Sequence, residues 1–387
     1  MSRNPDSRLA DPAVFHRAVL ARLNRRGFLV ASAAAALGAL GGPAIRPARA
    51  ADPVLPTVAP IPGSMKGTGS LRVASAGGAL SAAERKAIFE PFQAMTGIKI
   101  VETEGFSSAQ IKSQVDSKSV QWDAVALDYS NIAELQRHGQ YFEPVDYDVV
   151  KTDGIPKDQT HEFGLGYLLI GTVMTYRTDA FGGKAPQGYV DFWDLSQFPG
   201  PRNWMSGSMG IAPFLEGALI ADGVAMDKLY PLDIPRAFAS LTKIHKSIVK
   251  FWDSGAQSAQ LMANNETVMG VAWNGRIAPL EEQGAPVRIQ WNGAMLSTDN
   301  YAVLKGAENR ANAMKFLAFL ALPEVQARLS MLITYGFTNA HAAEFVPPER
   351  LKLLPSAYLD RSFFSDGLWW IDNKQKAIDA WTEWSLT

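Results

Sequence analysis

The stretch Val268 to Lys305, VMGVAWNGRIAPLEEQGAPVRIQWNGAMLSTDNYAVLK, decides the fold. Val268 to Trp273 reads as an apolar strand that ends on Asn274-Gly275, and Arg276 to Glu282 reads as a short helix. A second strand, Val287 to Trp291, ends on Asn292-Gly293, and a third run, Tyr301 to Leu304, follows Ser297-Thr298-Asp299-Asn300. Each of the first two strands closes on an aromatic followed by Asn-Gly, a pair suited to tight turns. In an α/β sheet, ligands bind at the carboxyl ends of strands. The spacing therefore predicts a ligand cleft floored by Trp273 and closed by Asp299. The alternative is two buried strand-end tryptophans with ordinary turns.

Working outward, βα units recur on both sides of this stretch. Leu71 to Ala74 is a short strand entering Ala76-Gly77-Gly78. A helix follows from Ser81 to Met95, with Ser81 as N-cap, Glu84 completing a capping box, and Gly97 as the stop. Ile98 to Glu102 is the next strand. The loop lacks the GxGxxG of a dinucleotide site, although its glycines can bring backbone N–H groups to a ligand. Trp122 to Leu127 is a buried strand with Asp128-Tyr129-Ser130 at its carboxyl end, where Asp128 can cap the next helix, face a ligand, or do both. The apolar run Phe163 to Tyr176 suits a central strand passing between domains. Helices are expected over 211–221, carrying Glu216, and over 235–249, 258–264, 310–320, 324–332 and 368–384. The tryptophans of the last helix are expected to pack it on the body of the protein.

Composition bounds the function. The chain has 387 residues, enough for two domains, and no cysteine, which excludes disulfides, thiolate metal sites and a cysteine nucleophile. Its five histidines show no metal-ligand spacing, so no metal and no cofactor is expected. Residues 1–50 read as an export signal. Arg25-Arg26 sits ahead of the apolar run Phe28 to Gly42, and Ala48-Arg49-Ala50 supplies a cleavage site. This twin-arginine pattern implies a periplasmic protein. Without that segment the net charge is −7, a balance that disfavours nucleic acid and mildly favours cationic ligands. Residues 51–69 are Pro/Gly-rich and read as an extended strap or tail.

Several segments carry a family resemblance in their order and spacing. They are Gln121 to Val125, Asp191 to Asp194 with Phe198 to Gly200, Ala221 to Val224, Ala272 to Arg276, Ala318-Phe319 with Pro323 to Gln326, and Tyr335 to Asn339. Over about Leu71 to Trp384 the chain resembles periplasmic solute-binding proteins of polyamine-type ABC importers, the spermidine/putrescine class. The resemblance implies a two-lobe α/β periplasmic-binding-protein fold with a hinge and an interlobe cleft. One lobe would be 70–173 plus 299–345, the other 174–298 plus 346–387. It further implies a protein that delivers a small amine such as putrescine or spermidine to an inner-membrane permease, and nothing in the sequence calls for more than a monomer.

In that family aromatic walls and carboxylates replace the water around an ammonium. Carried onto this chain, Trp273 matches the stacking tryptophan, Asp299 the ammonium-binding carboxylate, and Asp128 with Tyr129 the strand-end contact. Gly77 and Gly78 lie where the first loop meets ligand, and Tyr335 opens the last matching segment. Three departures stand out. An aromatic is missing from the loop at Ala76-Gly77-Gly78, Ser297 stands in place of a second tryptophan, and 203–210 lacks an acidic pair, leaving Glu216 as the nearest carboxylate. Such a cage suits a smaller amine or a zwitterion (γ-aminobutyrate, an amino acid or an opine), with Arg276 able to pair with a ligand carboxylate or to form a surface salt bridge.

Other classes are weighed against this. An exported hydrolase such as a glycosidase would need two carboxylates about 5–9.5 Å apart, for which Asp128, Glu216 and Asp299 are the candidates, but no hydrolase motif accompanies them. No catalytic residue is therefore assigned. Iron lacks its Tyr/His cluster, and a phosphate or sulfate would meet acidic groups.

Overall fold

Eleven strands form one mixed sheet in a computed structural model that describes residues 53–207 and 213–386. The export signal, the start of the strap and the beginning of the helix expected at 211 lie outside the described residues. In chain order the strands are β1 (Ser70–Ser75), β2 (Lys99–Glu104), β3 (Ala124–Asp128), β4 (Phe142–Glu143), β5 (Thr160–His161), β6 (Gly164–Arg177), β7 (Arg202–Met205), β8 (Ile248–Trp252), β9 (Met269–Trp273), β10 (Val287–Leu304) and β11 (Ser362–Phe364). The path across the sheet is β2-β1-β3-β10-β6-β9-β7-β8. At one end β2, β1 and β3 run parallel; at the other β9, β7 and β8 run parallel. The antiparallel pair β6 and β10 lies between and belongs to both ends.

Strand length makes this possible. β6 has 14 residues and β10 has 18, against a usual five or six, so at ~3.3 Å per residue each reaches across two packed units. The cores divide accordingly. One gathers Leu71, Val73, Phe89, Phe92, Phe316 and Phe319, with Tyr167 from β6 and Tyr301 from β10. The other gathers Phe192, Trp204, Phe214, Trp252, Val271 and Trp381, with Met174 from β6. A smaller apolar cluster lies under 337–357 and packs on the helix Pro323–Leu332.

Two sequence expectations change here. Val287–Trp291 and Tyr301–Leu304 are not separate strands but one, and Asn292-Gly293 is no strand end. The pairing with β6 shifts register between Gln290 and Met295, and Gly293 takes φ +81 within that irregularity. A bulge consumes the Asn-Gly signal that otherwise marks a turn. Likewise Asn274-Gly275 is the first turn of the helix Asn274–Glu282, not a turn ahead of it. The strap, residues 53–69, packs on the body and includes a short 3-10 turn, Gly63–Met65. It sets Val58 and Met65 into the first core, and Arg328 Nη1 donates to Pro56 O at 2.8 Å.

In the second unit a buried cation organises a loop. Arg202 has no exposed surface and, among the described residues, no carboxylate partner. Its guanidinium donates to Phe192 O at 2.8 Å, Gly200 O at 2.7 Å and Phe198 O at 2.5 Å. Burial lowers its pKa to about 10, and the three carbonyls replace the water it has lost. The Asp191–Asp194 and Phe198–Gly200 segments are thereby held around one side chain.

Candidate functional site

The site is built where β3 and β10 meet beside β9. Asp128 and Asp299 are direct cross-strand partners in the antiparallel pair. Like charges so placed repel unless a cation lies between them. Asp128 ends β3 and caps the helix Tyr129–His138, its Oδ1 accepting from Ser130 N at 2.8 Å and Ser130 Oγ at 2.5 Å. Burial raises its pKa. The Asp299 carboxylate has no hydrogen-bond partner among the described residues; burial and then repulsion by Asp128 push it up to about 7.

Trp273 ends β9 half-buried, standing edge-on to Trp252 with ring centroids 5.7 Å apart. Gly255 makes room for it, since a Cβ there would lie 2.6 Å from Cε3 of the indole. Asn274, fully buried, ties the next turn down: Oδ1 accepts from Gly171 N of β6 at 2.9 Å and Nδ2 donates to Thr334 O. Gly275 admits the ring of Tyr335, whose Cε1 would lie 2.4 Å from an added Cβ. The Trp-Asn-Gly-Arg signal is thus a device that seats one aromatic, one cross-link and a second aromatic before Arg276 emerges.

Two cavities meet at Asp128, Trp273 and Ser297. The larger, about 1200 Å³, is lined by those three with Gly77, Arg276, Asp299 and Tyr335, and extends to Glu282, Glu349 and Arg350. Arg276 is exposed and makes no ion pair or hydrogen bond among the described residues, so the surface salt bridge considered for it does not form. Arg350 is paired to Glu282 at 2.5 Å. The smaller cavity, about 670 Å³, is lined by Tyr129, His161, Glu216, Trp370 and Lys374 among others. Tyr129 stacks on His161 with ring centroids 3.5 Å apart, and burial lowers the His161 pKa to about 4. Glu216 is buried. Its Oε1 accepts from Tyr230 OH at 2.5 Å and Trp370 Nε1 at 2.9 Å, while Oε2 has no partner among the described residues.

Of the residues singled out in the sequence, Gly77, Asp128, Trp273, Arg276, Asp299 and Tyr335 line one cavity, and Asp128, Tyr129, Glu216 and Trp273 the other. Gly78 lines neither, although its neighbours Gly77, Ala79 and Leu80 line the larger. The capping box is also absent. Gly77 is the N-cap, Ser81 Oγ accepts from Gly77 N at 2.7 Å, and Glu84 points into the core to accept from Tyr167 OH at 2.7 Å and Tyr301 OH at 3.1 Å. The two tyrosine hydroxyls draw the carboxyl inward. A π-helical turn, Arg85–Phe89, follows directly. His161 and Trp370 carried no local motif, and the motif that Glu84 carried pointed to a helix cap; only their three-dimensional neighbours mark them.

Comparison with known proteins fits this architecture. Residues 87–354 match the family model described as bacterial extracellular solute-binding protein, and the chain belongs to that family. Such proteins bind a small solute and work with an ABC permease in the membrane. A γ-aminobutyric acid-binding protein of Pseudomonas aeruginosa is 33% identical over 82% of this chain and 91% of its own. The spermidine/putrescine-binding periplasmic protein of Salmonella typhimurium is more distant, 22% identical over 73% of this chain and 82% of its own. Among solved structures, the Atu4243-GABA receptor superposes with TM-score 0.74 at 30% identity, covering 81% of this chain and 97% of its own. AgtB of A. tumefaciens R10, in complex with agropinic acid, gives 0.67 at 31%, covering 82% and 99%. The fold is the two-lobe α/β architecture of periplasmic solute-binding proteins. These relatives are binding proteins, not enzymes. The polyamine binders stand further off than the proteins named for γ-aminobutyrate and for agropinic acid, which weakens the spermidine/putrescine expectation.

Proposed function

We propose that this chain captures a small zwitterionic amine, of the γ-aminobutyrate, amino-acid or opine kind, and delivers it to an ABC permease. One observation carries the reading. The Arg276 guanidinium, unpaired among the described residues, lines the same cavity as the cross-strand carboxylates Asp128 and Asp299. The ammonium sits at the carboxylates against the face of Trp273, and the ligand carboxylate takes Arg276. A diamine would set its second ammonium against Arg276, a repulsion that selects against polyamines. The relatives named for γ-aminobutyrate and for agropinic acid support the same choice. Export through the twin-arginine route and action as a monomer complete the proposal. Residues 70–173 with 299–345, and 174–298 with 346–387, form the two lobes, with β6 and β10 as the hinge.

Isothermal titration of residues 51–387 with γ-aminobutyrate, agropinic acid, basic amino acids, putrescine and spermidine tests it. Zwitterions are expected to bind and diamines to fail. Arg276→Gln should weaken a zwitterion by about 10- to 100-fold, the worth of a charge-assisted hydrogen bond at ~1.5–3 kcal/mol. Binding of putrescine alone, unaffected by Arg276→Gln, would return the polyamine reading.

A further inference from the structure

Behind the ammonium site lies a third carboxyl that ligand binding does not touch. Glu84 has no exposed surface. Its Oε1 accepts from Tyr167 OH of β6 and Tyr301 OH of β10, and its Oε2 has no partner among the described residues. The other charged groups near it are Asp299 on β10 and Glu102 on β2. Arg85, next on its own helix, is turned to Glu102 and Glu104. Asp299 in turn faces Asp128 on β3, and Tyr335 lies within reach of both Asp299 and Arg276. No Lys, Arg or His among the described residues pairs with Glu84, Asp299 or Asp128. Three carboxyls therefore run from the cleft into the core with no cation to offset them. Full ionisation of all three in the empty cleft is prohibitive, so the group retains a proton shared over coupled sites.

We propose that Glu84 is a positioning residue that couples ligand capture to proton release: the carboxyl group holds a proton while the cleft is empty and gives it up when an ammonium sits on Asp128 and Asp299. This rests on the amine reading given above. The balance is simple. An ammonium arrives, one proton leaves to solvent, and the net charge of the site is conserved. Burial raises Glu84 to about 7, with the two tyrosine hydroxyls opposing it and Asp299 adding to it, so the exchange falls near neutral pH. By linkage, affinity for the amine rises with pH through that range. His161 stays out of that window, because burial holds it at about 4.

The test is titration of residues 51–387 with γ-aminobutyrate at pH 6, 7 and 8, in two buffers of different ionisation heat so that released protons are counted. The wild type should bind several-fold more tightly at pH 8 than at pH 6, within the limit of about tenfold per pH unit for one proton. Glu84→Gln keeps an acceptor for the tyrosines and should remove most of that slope and of the proton release. An unchanged slope in Glu84→Gln overturns the coupling. If γ-aminobutyrate does not bind at any pH, the ligand reading fails on its own, and the empty protein decides about Glu84. Of the carboxyl C=O infrared bands that titrate between pH 6 and 8, the Glu84 component should be lost in Glu84→Gln while that of Asp299 remains; the same bands in both proteins overturn the proposal. Should that variant not fold, Tyr301→Phe removes one hydrogen bond to the carboxylate and should move the titration midpoint upward; an unmoved midpoint counts against Glu84.

Discussion

At the scale of single residues, the site depends on what two glycines leave out. A methyl at Gly275 would meet the Tyr335 ring at 2.4 Å, and that ring is buried, so relief requires it to shift. Gly275→Ala should cost about 1–3 kcal/mol in urea unfolding and also weaken ligand binding, since Tyr335 lines the cavity. An unchanged unfolding midpoint would mean the ring moves aside freely. Asp299 carries a second prediction. Its folded pKa of about 7 lies above the ordinary aspartate value, so the stability it contributes is complete at acid pH and lost as pH rises through 7. The empty protein should therefore lose on the order of 2 kcal/mol between pH 5 and 8. Asp299→Asn should flatten that decline in thermal unfolding. A steeper loss in the variant would show that other groups govern the range.

At the scale of elements, β10 makes the site possible by staying one strand. Its bulge around Gly293 lets the same 18 residues pair with β6 in two registers and still deliver Asp299 opposite Asp128. Gly293 adopts φ +81, and an added Cβ would approach Tyr189 at 3.0 Å. Gly293→Ala should destabilise by about 1–3 kcal/mol. Arg202 is the corresponding pin of the second unit. Arg202→Met leaves three backbone carbonyls without their donor and should cost about 3 kcal/mol or more, read as a shift in urea midpoint without change of slope. A cost below about 1 kcal/mol would mean water replaces the guanidinium.

At the scale of the whole molecule, two cores share two strands, and those strands are the hinge of the proposed function. The units also touch away from the strands. Arg137 pairs with Asp372 of the helix Gly367–Trp384, and Gly367 packs beside Ser130. Exposed pairs of this kind are worth about 0–1 kcal/mol, little enough to open and close. A ligand at 100 times its dissociation constant should stabilise the protein by about 2.7 kcal/mol and reduce its radius of gyration in small-angle scattering. Stabilisation without compaction would place the hinge motion elsewhere than in ligand capture.

Local chemistry in the sequence determined much of this protein. Gly97 stops its helix, Asp128 caps the next, the apolar run 163–176 forms the long central strand, and the order of short motifs marks the solute-binding family. Those signals are legible because each acts within a few residues. Only the tertiary structure decided that Asn292-Gly293 is a bulge and that Glu84 leaves its helix cap for two tyrosines, the second 217 positions away in sequence. It also brought Asp128 opposite Asp299 and set Arg276, unpaired among the described residues, in the same cavity. Burial and like-charge repulsion exist only once distant segments meet, and they set the chemistry of the cleft.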